Sequence, residues 1–272
     1  MGEWKKCSLG DLTLLITKGT TPKKFTDSGI NFVKSQSITY NGKIDKTFFA
    51  FIDKETYAKF KRSQLIKDDI LFSMAGVFLG KNAIVSEDIL PANTNQALAI
   101  IRINQEKALA KFIHYFLRQK SIIEFVNNMS GQSAQPNINF QEIKSIELLL
   151  PPLPEQKAIA SILSSLDNKI DLLHRQNKTL ESMAETLFRQ WFVEEADEGW
   201  EEVPLLSIAN FLNGLACQKY IPKNDIDKLP VLKIKDLRDG ISENSDWAST
   251  DVKNEYIVEN GDSLWSLSRK FD

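Results

Sequence analysis

Leu150-Pro151-Pro152-Leu153-Pro154-Glu155-Gln156 runs without a break into apolar residues at heptad spacing from Ile159 to Trp191. Pro151 and Pro152 stop the preceding element, because proline lacks the N–H that a strand or helix interior needs. Pro154 is tolerated in the first turn of a following helix, and Glu155 suits the positive end of its dipole. Ile159, Leu166, Leu173, Leu180 and Leu187 then fall at one core position of the heptad, and Leu163, Ile170, Asn177, Ala184 and Trp191 at the other. The register never slips. At about 1.5 Å per residue, segment 155–193 predicts a rod of roughly 58 Å, too long and too narrowly striped for one small domain to cover. It needs a partner helix. Asn177 in the seam costs stability if unpaired, so it either fixes register and orientation or is a tolerated polar site.

Upstream of the prolines the chain alternates short β-prone runs with Gly, Asn and Asp breaks: Leu12–Thr17, Ile30–Val33, Phe48–Ile52, Ile70–Met74, Ala83–Val85 and Ala97–Ile103. Lys107–Met129 reads as one amphipathic helix with Leu109, Phe112, Phe116, Ile123 and Val126 on one face, and Ile143–Leu150 returns to strand. The fold class expected is α+β: a sheet-rich head over 1–150, a long coiled-coil helix over 151–193, and a third segment over 194–272. That third segment repeats the opening in miniature. Trp4, Leu9 and Gly19 are echoed by Trp200, Leu205 and Gly214; Phe32-Val33-Lys34 before Gly42 by Val231-Leu232-Lys233 before Gly240; Asp69-Ile70-Leu71-Phe72-Ser73 by Asp262-Ser263-Leu264-Trp265-Ser266. The second copy stops before any equivalent of the amphipathic helix or heptads, so an incomplete second head is expected.

The net charge of −2 over 272 residues hides an asymmetry. Residues 1–150 carry 20 Lys and Arg against 14 Asp and Glu, whereas 194–272 carry 9 against 17. The first head is basic, as a phosphate-binding surface requires. No apolar run reaches the roughly 20 residues of a membrane span, and Glu3 and Trp4 do not open a secretory signal, so a cytoplasmic location is expected. Cys7 and Cys217 lack any CxxC context and read as free thiols. No metal or cofactor site is expected.

The set Trp4-x4-Leu9-Gly10, Gly19-Thr20-Thr21-Pro22, Asp69-Ile70-Leu71-Phe72-Ser73, Asn95-Gln96-Ala97, Pro151-Pro152-Leu153-Pro154-Glu155-Gln156, Ile159-Ala160-x-Ile162-Leu163, Leu166-Asp167-x-Lys169-Ile170 and Leu180-Glu181 to Trp191-Phe192 resembles the specificity subunit of type I restriction-modification systems. The proline element joined to the heptads is the specific part. The resemblance implies a non-catalytic subunit in which two target-recognition domains each read half of a bipartite site in double-stranded DNA. Two long helices would pack antiparallel as a spacer, and methyltransferase and restriction subunits would assemble on that frame. With one rod only, helix 155–193 could supply its own partner as a homodimer across a two-fold axis; a core Asn more often accompanies parallel pairs.

Base discrimination needs paired donors and acceptors at a groove, while lysines position the duplex. Expected backbone contacts are Lys18, Lys23, Lys24, Lys34 and Lys81, and expected groove contacts Gln36, Ser73, Asn93, Gln96 and Gln132. Expected helix-packing residues are Ile159, Leu163, Leu166, Ile170, Leu173, Asn177, Leu180 and Leu187. Enzyme signatures are missing: no polar residue precedes Pro151-Pro152 and no aromatic follows, as an amine methyltransferase would need, and no Gly-x4-Gly-Lys-[Ser/Thr] loop occurs. His114 and His174 read as helix-surface or core-flanking residues rather than bases. Two other classes stay open: a coiled-coil interaction protein whose head binds protein, and the recognition part of a fused restriction-methylation enzyme.

Overall fold

A computed structural model describes residues 3–76, 79–129, 137–197, 199–242 and 244–264. The chain divides into two units, Met1–Thr186 and Leu187–Asp272. In the first, the elements run β1 (Lys5–Ser8), β2 (Thr13–Lys18), β3 (Ile30–Val33), β4 (Ala50–Ile52), α1 (Lys54–Lys59), β5 (Ile70–Ser73), β6 (Asn82–Ile84), β7 (Ala92–Thr94), β8 (Leu98–Ile103), α2 (Ala110–Leu117), α3 (Lys120–Met129), α4 (Phe140–Lys144), β9 (Glu147–Leu150) and α5 (Leu153–Arg189). The strands form a four-stranded antiparallel sheet, β2-β8-β5-β6, a three-stranded sheet, β4-β3-β7, and the antiparallel pair β1-β9.

Alternation along β5 and β8 builds two cores back to back. Ile70, Phe72, Ala99 and Ile101 face the helices and pack with Phe112, Ile113, Leu117 and Val126. Leu71, Leu98 and Ile100 face the other way and pack with Val33, Leu65 and Ala92. A strand covered on both sides reads as a continuous apolar run, which is why Ile70–Phe72 and Leu98–Ile101 show no polar alternation. Arg102, next to the core, forms a two-pronged pair with Asp69, Nε and Nη2 each 2.8 Å from a carboxylate oxygen. Asp69 also accepts from the Ile66 N–H at 2.9 Å, so the first residue of the Asp-Ile-Leu-Phe-Ser motif ties the turn before β5 to β8.

The single helix expected over 107–129 is two, α2 and α3, separated at Arg118 and Gln119. Arg118 keeps a near-helical backbone (φ −83°, ψ −8°), so the apolar spacing persists across the joint while the chain turns, and residues of both pieces reach one core. The strand expected over 143–150 begins as α4, because Asn139 and Glu142 form a reciprocal capping box that starts a helix there. The strand proper is β9, which pairs with β1 in a register of Lys5 to Leu150. Both ends of the head therefore meet immediately before Pro151.

Helix α5 extends over 37 residues and continues into a π-helical turn, Gln190–Glu194. Its start is docked. Ala160 is buried in the head core and Ile159 packs against it. The second unit holds a short antiparallel pair, β10 (Lys228–Pro230) with β11 (Trp247–Ser249), and α6 (Ile234–Asp239) between them in sequence. Among the described residues from 187 to 264, no hydrophobic side chain is buried. Part of the repeat has a local counterpart. The turn after β3 is closed by the Lys34 N–H donating to Ser37 Oγ, and the turn at Lys233 by its N–H donating to Asp236 Oδ2. The glycines that follow, Gly42 and Gly240, share a left-handed backbone (φ 77° and 79°). Trp265 and Ser266 of the third matching pair lie outside the described residues.

Candidate nucleic-acid interface

Strand direction gathers the first group of side chains. β3 and β7 run parallel, with Val33 opposite Thr94, so Lys34 and Gln36 leave the sheet at the same end as Asn95 and Gln96. Lys18 ends β2 opposite Ala99 of β8, just beyond that same turn. The Gly19-Thr20-Thr21-Pro22 loop is laid across it, with Gly19 N–H donating to the Leu98 carbonyl at 3.2 Å and Thr20 N–H to the Thr94 carbonyl at 2.9 Å. A Cβ on Gly19 would stand 2.0 Å from the Asn95 carbonyl oxygen, so only glycine permits this approach. The loop carries Lys23 and Lys24, both exposed, toward Phe25, whose ring packs edge-on against Phe32 with centroids 5.2 Å apart. Lys34 Nζ lies 5.4 Å from the Phe25 ring centre.

Lys18, Lys23, Lys24, Lys34, Gln36 and Gln96 therefore share one end of the head. Among the described residues none of these four lysines forms an ion pair, whereas Lys46, Lys59 and Lys67 are paired with Asp88, Glu55 and Glu87. A further basic pair, Lys61 and Arg62, sits on the turn that packs against β2. The result is a group of lysines without an ion pair among the described residues, with exposed Gln36 and Gln96 at the same end, which can hold phosphates and offer donors and acceptors to base edges.

Three expected contacts are placed elsewhere. Ser73 and Asn93 are fully buried. Ser73 lies in β5, covered on both faces, and Asn93 in β7 turns its Oδ1 onto the Thr94 N–H at 3.0 Å. Neither side chain reaches a groove. Lys81 is also buried, its Nζ 3.2 Å from the centre of the Tyr40 ring, so it supports that aromatic from below rather than extending to a phosphate. Gln132 lies outside the described residues. Beside Lys81, Asn82 Oδ1 and His114 Nδ1 are 2.8 Å apart in the interior. His114 is thus inside the head rather than on a helix surface. Burial, helped by the positive charge of Arg118, pushes its pKa down to about 4, so the ring is neutral near pH 7.

The helix residues fall into two groups. Ile159 and Leu163 are half-buried at the docked end, while Leu166, Ile170, Leu173, Asn177, Leu180 and Leu187 are exposed, Leu180 by 62%. An apolar stripe of this length facing water marks an interaction surface. Docking depends on a residue the sequence reading left without a role. Gln156 is 1% exposed; its Oε1 accepts from the Leu109 N–H and its Nε2 donates to the Pro151 carbonyl, each at 2.8 Å. It ties the first turn of α5 to the N-terminus of α2 and to the proline step at once. Among the described residues, no helix is long and apolar enough to cross a membrane.

Comparison with known proteins places the chain in a family. Curated relatives include a putative type I restriction enzyme MjaX specificity subunit from Methanocaldococcus jannaschii, 31% identical over 225 residues and covering 75% of this chain and 52% of that one. The HindI specificity subunit of Haemophilus influenzae is 26% identical over 196 residues, 71% of this chain and 42% of that one. The chain spans about half the length of the curated relatives it matches. In fold it is similar to the type I restriction-modification S subunit from M. genitalium, with a TM-score of 0.52 and 21% identity over 82% of this chain and 58% of that one. The family model for the type I restriction modification DNA specificity domain matches residues 1–182, the head together with nearly all of α5, and the chain belongs to that family.

Proposed function

We propose that this chain is a DNA-recognition subunit whose head, 1–150, grips one half-site of double-stranded DNA while the rod, 151–193, spaces it from a counterpart. Residues 194–272 form part of a second recognition domain. The observation that carries the reading is that Lys18, Lys23, Lys24 and Lys34, without an ion pair among the described residues, share one end of the sheets with the exposed Gln36 and Gln96. The lysines hold phosphates and set the register of the duplex; the two glutamines, exposed between them, read base edges. The rod turns a grip on a few base pairs into a fixed distance and orientation. Its uncovered stripe pairs with a second helix, that of another copy of this chain, and methyltransferase and restriction subunits assemble on the paired frame. The chain itself supplies sequence information and geometry; the methyl-group chemistry belongs to the partner.

Binding of a fluorescent mixed-sequence duplex, measured against salt, tests the head. Four phosphate contacts give a slope of log affinity against log salt of about −4, and replacing Lys18, Lys23, Lys24 and Lys34 together by Gln brings it close to zero. An unchanged slope in that variant refutes the role of these lysines. A flat slope in the parent chain favours instead a head that binds protein. Methylation mapping of cellular DNA with and without this chain, in the presence of its methyltransferase partner, then reads the target.

A further inference from the structure

Beyond the buried start of α5, a second set of contacts grips the rod from its side. Asp167 and Asp171 are four residues apart, so they lie one above the other on one face of the helix. Asp167 Oδ2 accepts from the Tyr115 hydroxyl at 2.9 Å and from Arg118 Nη1 at 3.0 Å, and Lys43 pairs with Asp171. Burial acts to raise the Asp167 carboxyl, but the hydrogen bonds from Tyr115 and Arg118 outweigh it and hold the group below the ordinary carboxylate range. From Leu172 to Thr186 every residue of the helix is exposed.

We propose that Tyr115, Arg118 and Lys43 clamp Asp167 and Asp171, so that the direction of the free rod, and with it the spacing it imposes, is fixed at Asp171 rather than at the proline step.

The clamp is stiff because its two jaws are locked together. Tyr115 and Arg118 stand at the end of α2, where Arg118 also lies over the Tyr115 ring, its guanidinium carbon 5.4 Å from the ring centre. Lys43 ends a turn held by the Lys43 N–H donating to Thr39 Oγ1 at 2.9 Å and by the Thr39 N–H donating to the Lys43 carbonyl, also at 2.9 Å. Gly42 in that turn has φ +77° and lies so close to α2 that a Cβ there would be 2.7 Å from Arg118 Cδ and 2.8 Å from His114 Cε1. The arrangement matters through its lever arm. From Asp171 to Thr186 the helix rises about 22 Å, and a tilt of about 10° at the clamp moves the far end about 4 Å. One nucleotide step is about 3.4 Å, so a loose joint would blur the spacing by a base pair. That consequence rests on the proposed role of the rod as a spacer; the clamp itself does not.

Spin labels on Gln141→Cys in the head and Ser182→Cys on the outer face of the rod, with Cys7 and Cys217 replaced by Ser, report the joint by pulsed dipolar spectroscopy. Labelled chain is diluted in unlabelled chain so that only the intrachain distance is read. The expected result is one narrow distribution in the parent and a clearly broader one in the Asp167→Ala/Asp171→Ala double variant, with helicity by circular dichroism unchanged. A broad distribution in the parent, or an unchanged one in the double variant, overturns the proposal. If the double variant loses helicity, Asp167→Asn and Lys43→Gln carry the test separately: each must broaden the distribution or the clamp is refuted. Because no DNA is present, failure here leaves the DNA-binding measurement intact, and failure of that measurement leaves this one intact.

Discussion

Replacing Gln156 by Leu removes the one side chain that satisfies two backbone groups at the joint between head and rod. The substitution preserves bulk, so no sizeable cavity forms; what changes is that the Leu109 N–H and the Pro151 carbonyl lose their partners. The Pro151 bond is buried and the Leu109 bond half-buried, so the two losses differ. A buried group left unsatisfied costs about 1–3 kcal/mol, which gives roughly 2 kcal/mol for the carbonyl and about 1 for the half-buried amide. The sum, about 3 kcal/mol, is a large fraction of the 5–15 kcal/mol typical of a folded domain. For a unit of this size it corresponds to a fall in melting temperature of roughly 6–12 °C. Urea unfolding followed by circular dichroism is the assay, and the midpoint should fall with the slope unchanged, since the folded and unfolded states keep their exposed areas. Gln156→Glu should be worse than Leu, because a carboxylate can still accept from Leu109 but meets the Pro151 carbonyl with a buried charge. Gln176→Leu, on the exposed stretch of the same helix, is the control and should stay within about 0.5 kcal/mol of the parent. A Gln156→Leu protein as stable as that control refutes the argument that this residue anchors the rod.

Gly19→Ala should destabilise the head by about 3 kcal/mol in a thermal melt, since the added Cβ meets the Asn95 and Thr94 carbonyl oxygens at 2.0 and 2.2 Å and the loop carrying Lys23 and Lys24 must lift away. Leu173→Asp places a charge in the exposed seam, so sedimentation at the high protein concentration a weak helix pair needs should show a shift toward monomer while the melting temperature of the head is kept; a parent that pairs there and a variant that pairs equally well count against pairing through this face. His114 has its pKa lowered from 6.5 to about 4, so the unfolded chain binds the extra proton first as pH falls. The stability from keeping the ring neutral is complete above pH 6.5 and is lost on the way down to pH 4, amounting to about 3 kcal/mol; His114→Gln should flatten that pH dependence, and an equal slope in both proteins refutes it.

Legibility in the sequence followed the range of the interaction being read. The rod was legible because a heptad is a local pattern that an unbroken helix must follow, and α5 follows it from Ile159 to Leu187. Strands β3, β5 and β8 were legible as dense apolar runs. β7 was not, because its three residues pair in parallel with a strand some sixty positions earlier, and no turn chemistry announces such a crossover. Lys18, Lys34 and Gln96 lie at or near strand ends, whereas Ser73 and Asn93 are buried within strands, and for one reason. Period-two alternation exposes every second residue only when a sheet has a wet face, and β5 and β7 have none. Gln156 gave no functional signal because its partners are main-chain groups. Any residue type could carry the Leu109 N–H, so no spacing in the sequence points to it. Asn139 and Glu142, by contrast, are a capping box just ahead of the stretch expected as strand, 143–150, and the helix they start runs into that stretch as far as Lys144.

The magnitudes also bear on how the frame assembles. Leu166, Ile170, Leu173, Leu180 and Leu187 are each 40–62% exposed, so a partner helix has about half of each side chain left to cover. At about 1 kcal/mol per half-covered side chain on both helices of a symmetric pair, the seam yields roughly 10 kcal/mol. Bringing two chains together costs an estimated 4–15 kcal/mol in lost freedom. The two nearly cancel, and Asn177 in the seam subtracts further unless it meets another polar group. Helix pairing by the seam alone is therefore weak, and the frame of the proposed function needs further buried surface to be stable. On the proposed reading assembly and spacing are then coupled: before any partner binds, the free half of the rod keeps its direction only through its continuity with the docked half, where Gln156 holds the start of the helix to the head and the contacts of Asp167 and Asp171 set its direction.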